Sequence, residues 1–232
     1  MAGYIGTRPP QTNVGVFTPN QQYNLRRRGL WIPIVDIFED DFTASSLDTT
    51  LWNIGGDAVF NGTDDRVELT TNSGSQLGLL DAGNKLDGIS KWTLTLDWRL
   101  QGDVGADLTN FIFYHDGLYD DGTGGGGSAG FDNGYYIEIN YDNGTVKLKE
   151  RRSASSSTLA SGTYDTAWDG QVNDVEIIYD SGSVTLSVNG SQVLSHTVSS
   201  PDESINGIGF SAGTGGSTAL SAIDFVKLVN DI

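Results

Sequence analysis

Three groups of side chains in this 232-residue chain have types and spacings that could do chemistry. The first is Glu138-Ile139-Asn140-Tyr141-Asp142, within GYYIEINYDNG. Strand alternation would place Glu138, Asn140 and Asp142 on one face. A retaining glycoside hydrolase needs two carboxyl groups about 5 Å apart, one as nucleophile and one as acid. Glu138 and Asp142 are four residues apart, roughly 13 Å along an extended strand. The pair is too widely spaced to work on one bond, so the expectation is a wet strand face that ends in a turn. The second group is Asp116, Asp120, Asp121, Asp132 and Asn133, around the Gly-rich stretch GTGGGGSAG at residues 122–130. Calcium takes six to eight oxygens, mainly carboxylates and carbonyls on loops. These five residues could hold Ca2+, or could simply solubilise the loop, and their spacing is not that of an EF-hand. The third group is the ladder Lys147, Lys149 and Arg151, together with Trp168 in TAWDG. The cations could contact an anionic glycan, and Trp168 could stack on a sugar ring. The plainer alternatives are a solvated strand face and a tryptophan packed at a strand entrance. His115 and His196 stand alone, with no Ser or Cys partner that would suggest a catalytic triad. The Gly-rich stretch has no Lys in the spacing of a phosphate-binding loop.

The elements that must position these residues are strands. KWTLTLDWRL puts Trp92, Leu94, Leu96, Trp98 and Leu100 on one face and Thr93, Thr95, Asp97 and Arg99 on the other. That is strict period two, one dry face and one wet. NFIFYH is apolar nearly throughout and predicts a more deeply buried strand. Asp142-Asn143-Gly144, Asp180-Ser181-Gly182 and Asn189-Gly190 each sit between alternating runs, the mark of a hairpin. INGIGFSA and SAIDFVKLV complete about twelve strands, with no convincing helix. Turns every 8–12 residues point to an all-β, two-sheet antiparallel sandwich of the jelly-roll kind, with a closed barrel as the competing architecture.

Charge divides the chain. Residues 1–35 hold Arg8, Arg26, Arg27 and Arg28 and no acid, a balance of +4. The remainder has 9 basic against 30 acidic residues, a balance of −21, and the whole is −17. A body this acidic repels phosphate backbones and anionic membranes, which argues against nucleic acid as a partner. No apolar run approaches a membrane span, and MAGYIGTRPP lacks the apolar core of a secretory signal. With no cysteine, disulfides and thiolate metal sites are excluded. Pro9, Pro10, Pro19 and Pro33 break up residues 1–38, which are expected to form an extended arm. Its Arg26, Arg27, Arg28 and Trp31 are the candidate docking residues, and an acidic partner surface is what they would suit.

FEDDFTASSLDTTLWN resembles the opening of concanavalin A-like lectin/glucanase domains, with its D-D-F, small-polar turn, L-D and W. NGYYIEINYDNGTVKLKE and ASGTYDTAWDGQVNDVEIIYDSGSVTLSVNGSQVL resemble the laminin-G-type branch of that superfamily. The likeness covers residues 39–230 and implies a concanavalin A-like sandwich over residues 39–232. Some members are hydrolases with an E-x-D-x-E or E-x-D-x-x-E strand motif. Asn140 and Asp142 depart from it at two of three places, which puts enzyme activity in doubt. Others are calcium-dependent lectins, from which Ca2+ follows as the one implied cofactor. MAGYIGTRPPQTNVG is similar to the N-termini of virion proteins from tailed phages of marine bacteria. The combined expectation is a non-enzymatic virion structural protein, in the capsid decoration, a fibre or the tail. It would be assembled in the host cytoplasm, docked on other virion proteins by residues 1–35, and present as a homo-oligomer or in many copies. Its sandwich would face outward, with host-surface glycans as a further partner. A free glycan-binding adhesin is the alternative, and a glycoside hydrolase ranks below it.

Overall fold

A computed structural model of the protein describes residues 35–69, 78–101, 108–119, 130–213 and 220–231. Arg26, Arg27, Arg28 and Trp31 of the arm lie outside the described residues, as do Asp120 and Asp121. Fifteen strands among the described residues form two antiparallel sheets. The eight-stranded sheet contains β1 (Val35–Asp40), β3 (Ala58–Asn61), β4 (Arg66–Leu69), β6 (Lys91–Gln101), β11 (Val172–Asp180), β12 (Ser183–Val188), β13 (Ser191–Thr197) and β15 (Leu220–Asn230). Its order is β13-β12-β11-β6-β15-β4-β3, with β1 also paired to β15. The seven-stranded sheet contains β2 (Asn53–Gly56), β5 (Gly78–Asn84), β7 (Leu108–His115), β8 (Gly134–Asn140), β9 (Thr145–Arg152), β10 (Ser155–Thr163) and β14 (Gly207–Gly213), in the order β10-β9-β8-β7-β14-β5-β2. The sandwich expected from the alternation is therefore the fold. No described helix is long and apolar enough to cross a membrane.

Between the sheets lies one large core, and the period-two strands feed it as their spacing requires. Trp92, Leu94, Leu96, Trp98 and Leu100 are all buried, and the intervening Thr93, Thr95, Asp97 and Arg99 are half-buried. Trp92 stacks on Tyr179 with ring centroids 5.4 Å apart, and Trp98 meets Phe111 edge-on at 5.8 Å. A buried indole N–H needs an acceptor. Trp92 donates to Tyr114 Oη at 3.2 Å, and Trp98 donates to Ser221 Oγ at 3.2 Å. In the opening D-D-F segment, one Asp40 carboxylate accepts from the Phe42 N–H (2.8 Å) and the Trp52 indole (2.7 Å). The residues that carry the resemblance there serve the architecture.

Two features depart from the sequence-based expectation. Residues 35–38, assigned to the arm, belong to β1 and pair with β15 at the sandwich edge. β10, SSSTLASGT, is a full nine-residue strand that the expected set of strands omits. It is a mostly exposed edge strand with a single neighbour, so tertiary pairing rather than a buried stripe makes it a strand.

Candidate functional site

The outer face of the seven-stranded sheet carries most of the chemistry picked out above. Register places Ser211, Asn110, Glu138 and Lys147 side by side on β14, β7, β8 and β9. The Asn110 amide donates to Ser211 Oγ at 3.1 Å, while its buried Oδ1 has no partner among the described residues. Lys149 Nζ donates to Glu138 Oε2 at 2.6 Å and lies 5.6 Å from the centroid of the Tyr136 ring. Arg151 lies 5.4 Å from the Phe131 ring centroid. The cationic ladder thus has the expected phase, opposite buried Val146 and Leu148. Lys149 is engaged by Glu138, and Lys147 makes no ion pair among the described residues. Asp142 sits in the β8–β9 turn, beyond the end of the strand that carries Glu138. Asp81, on β5, is three strand spacings from Glu138, roughly 14 Å. Neither carboxylate gives Glu138 the close partner that glycoside hydrolysis requires.

Of the five proposed calcium ligands, the structure brings together Asp116, Asp132 and Asn133. They form a hydrogen-bonded neck at the base of the loop between β7 and β8. Asp116 Oδ1 accepts from the N–H groups of Asp132 and Asn133, both at 3.1 Å, and Oδ2 accepts from the Asn133 amide at 2.7 Å. Burial works to raise the Asp116 carboxyl, but the Asn133 and Asp132 donors outweigh it and hold it below the usual carboxylate range. Tyr119 Oη donates to Asp132 Oδ1 at 2.7 Å, and the Tyr119 N–H donates to Gly130 O at 2.6 Å. A Cβ at Gly130 would fall 1.5 Å from Tyr119 O, so only glycine permits this neck. Asn133 also reaches outward: its Oδ1 accepts from Ser153 N–H at 3.0 Å, and Asp132 O accepts from Ala154 N–H at 3.0 Å. These contacts hold the β9–β10 turn, where Ser153 and Ala154 both have positive φ. Three N–H donors aimed at Asp116 suit a carboxylate acting as a loop clasp. Among the described residues no group of three or more acidic or histidine side chains is placed to hold a metal.

His115, isolated in sequence, is buried beside this neck. Its Nδ1 accepts from Gly117 N–H at 3.0 Å, so a neutral ring carries its proton on Nε2. Nε2 lies 3.3 Å from Asp81 Oδ1, yet the two are not aligned as a hydrogen bond. The contact is one of proximity, and it would become an ion pair only on protonation. Asp81 and Asn110 carry no local motif, and only strand pairing brings them to this face.

Trp168 sits elsewhere, on a single 3-10 turn (Thr166–Trp168) capped by Asp165. It is 7% exposed and packs edge-on to Tyr164 at 5.1 Å. The turn closes an open groove of about 600 Å3, lined by Thr163, Tyr164, Asp165, Trp168, Gln192 and Val193 among others. The groove lies at the seam where β10 of one sheet meets β13 of the other. A Cβ on Gly162 would approach Val193 O to 2.6 Å, so glycine allows these two edges to close up. Lys147 and Lys149 do not line the groove. The three residues singled out for carbohydrate contact therefore fall into two places.

The arrangement of the two sheets is matched in known structures. The fold is concanavalin A-like. No family model and no curated protein matches the sequence. Among solved structures, the metal-free carbohydrate recognition domain of Emp46p superposes with a TM-score of 0.66 at 17% identity, covering 85% of this chain and 96% of that one. Its potassium-bound form gives 0.63 at 17% identity, over 81% and 94%. The exoplasmic/lumenal domain of VIP36, bound to Ca2+ and Man3GlcNAc, gives 0.67 at 16% identity, over 86% and 90%. At these identities the likeness establishes the fold.

Proposed function

We propose that this chain is a glycan-binding display domain of a tailed-phage virion, docked by its basic arm and carrying no catalytic pair. The observation that supports glycan binding is the likeness of the whole sandwich to carbohydrate recognition domains, one of them crystallised with Man3GlcNAc. The ion pair between Lys149 and Glu138 supports a binding role over hydrolysis, because it occupies the one carboxylate with a resemblance to a catalytic residue. The arm reading rests on charge: +4 in residues 1–35 against −21 in the remainder suits an arm that attaches to an acidic neighbour and a body that stays soluble. Calcium enters this reading only through the acidic residues of the β7–β8 loop, and chelation tests it.

Two measurements decide the matter. The purified protein on a glycan array should bind a subset of sugars and release no reducing sugar from them; turnover lost in Glu138→Gln would replace the binding reading with a hydrolase. Deleting residues 1–34 should leave a folded, soluble sandwich that no longer co-sediments with particles. Normal incorporation of the truncated protein would refute docking by the arm, and would favour a free adhesin if glycan binding persists.

A further inference from the structure

We propose that the seam groove between β10 and β13 is the saccharide site, and that it takes an uncharged sugar. This inference rests on the glycan-binding reading and locates it. The groove has a volume in the range of small-molecule sites and is open to solvent. Its rim offers the chemistry that sugar hydroxyls need: the exposed Thr163 and Thr166 hydroxyls, the exposed Gln192 amide and the Asp165 carboxylate. Asp165 uses Oδ1 to accept from Ala167 N–H at 2.9 Å, and this leaves Oδ2 for a ligand hydroxyl. The floor is aromatic, from Tyr164 and Trp168. The Tyr164 hydroxyl is buried and has no hydrogen-bond partner among the described residues. Buried polar groups left unpaired are costly, so this hydroxyl marks a site of incomplete pairing directly behind the groove lining. Because Trp168 is mostly covered, it contributes an apolar edge rather than a bare stacking face.

Charge selects the ligand. No Lys or Arg lines the groove, whereas Asp165 stands on its rim and Asp169 follows directly after Trp168 in the chain. A uronate, sialyl or phosphorylated glycan would meet a carboxylate and no cation among the lining residues, inside a body of balance −21. A neutral hexose oligomer meets no such repulsion.

The test uses the full chain, 15N-labelled, titrated with mannotriose, maltotriose and cellotriose as neutral probes and with oligogalacturonate as the anionic one. The expected result is that at least one neutral probe shifts amides of residues 162–168 and 191–194 and leaves β7 and β8 unmoved. Asp165→Asn preserves the cap, because Asn caps a turn about as well as Asp. Asp165→Asn and Gln192→Ala should each weaken that binding about tenfold, the scale of one hydrogen bond to a charged or amide group. Lys91→Ala, at the start of β6 and three strands away from β13, should leave it unchanged. Binding of a neutral probe that both groove variants retain would overturn the site while leaving glycan recognition standing. Tighter binding of oligogalacturonate would overturn the ligand class. No binding by any probe, in a protein whose amide spectrum is folded, would overturn the proposal together with the reading beneath it.

Discussion

The two sheets bury their residues in different ways. In the eight-stranded sheet β6, β11 and β12 alternate between buried and more exposed positions, so one face is dry and the other wet. In the seven-stranded sheet every residue of β7, β8 and β14 is buried. The outer face there carries a small second core of Ile112, Phe131 and Tyr136, with Leu118 packed against it. Polar Asn110, Ser211 and Glu138 are buried on that same face. Burying a polar group is costly unless it is paired: Glu138 pairs with Lys149, and Asn110 pairs with Ser211 through its amide N–H though not through its Oδ1. A covered, hydrogen-bonded face is built to be rigid, and the open polar surface is left to the seam at the sheet edges. The comparison teaches that the busiest cluster of charged and polar residues need not be the place where a ligand enters.

The largest expected effects set the two sheets against each other. Trp98→Ala should cost roughly 3–5 kcal/mol, while Thr95→Ala on the wet face of the same strand should cost under about 1 kcal/mol. In the seven-stranded sheet that asymmetry should vanish: Ile112→Ala on the outer face and Ile137→Ala on the inner face should each cost roughly 2–5 kcal/mol. Urea unfolding of the four variants checks this. A cheap Ile112→Ala would mean the outer face is not packed as a core.

A smaller effect is expected at the loop neck that helps to cover that face. Asp116→Ala removes three accepted hydrogen bonds at a partly solvated carboxylate and should cost about 1 kcal/mol near neutral pH. The folded carboxyl is held low, so its stabilisation is fully present above the unfolded value of about 3.9 and is lost as pH falls through the lower folded value. Melting temperatures of wild type and variant should therefore converge as pH falls below the ordinary carboxylate value of about 3.9. A difference constant down to pH 2 would contradict the clasp.

The smallest effect concerns the wet face of the eight-stranded sheet. Burial first, then Asp174 opposite it and Asp224 nearby, raise the Asp97 carboxyl above its usual range. A raised carboxyl is a net cost while ionised, and the cost is relieved as pH falls from the folded value toward the unfolded one. Asp97→Asn should stabilise the protein at pH 7 by roughly 0.2–1 kcal/mol, the scale of a like-charge cross-strand pair, and should make no difference near pH 3. Destabilisation at pH 7 would show that the wet face relies on this charge.

The sequence alone determined what is local. Period two in KWTLTLDWRL fixes which side chains face the core, because successive side chains on a strand point to opposite faces. Asn189-Gly190 fixes a hairpin, because both residues accept the positive φ that a tight turn demands. The apolar run NFIFYH announces burial on both faces for the same steric reason. The tertiary structure alone decided what depends on neighbours. Ser153-Ala154 carries no turn signal, and its positive φ values are held by Asn133 and Asp132 from another loop. β10 has no apolar stripe and becomes a strand by pairing with β9. The partner of Glu138 proved to be Lys149, set by register rather than by spacing along one strand. The groove beside Trp168 is formed by residues 162–166, Trp168 and residues 192–193, from the edges of two different sheets. Alternation and turn chemistry act within a few residues and can be read along the chain, whereas the meeting of two sheet edges is a long-range contact that exists only once the sandwich has closed.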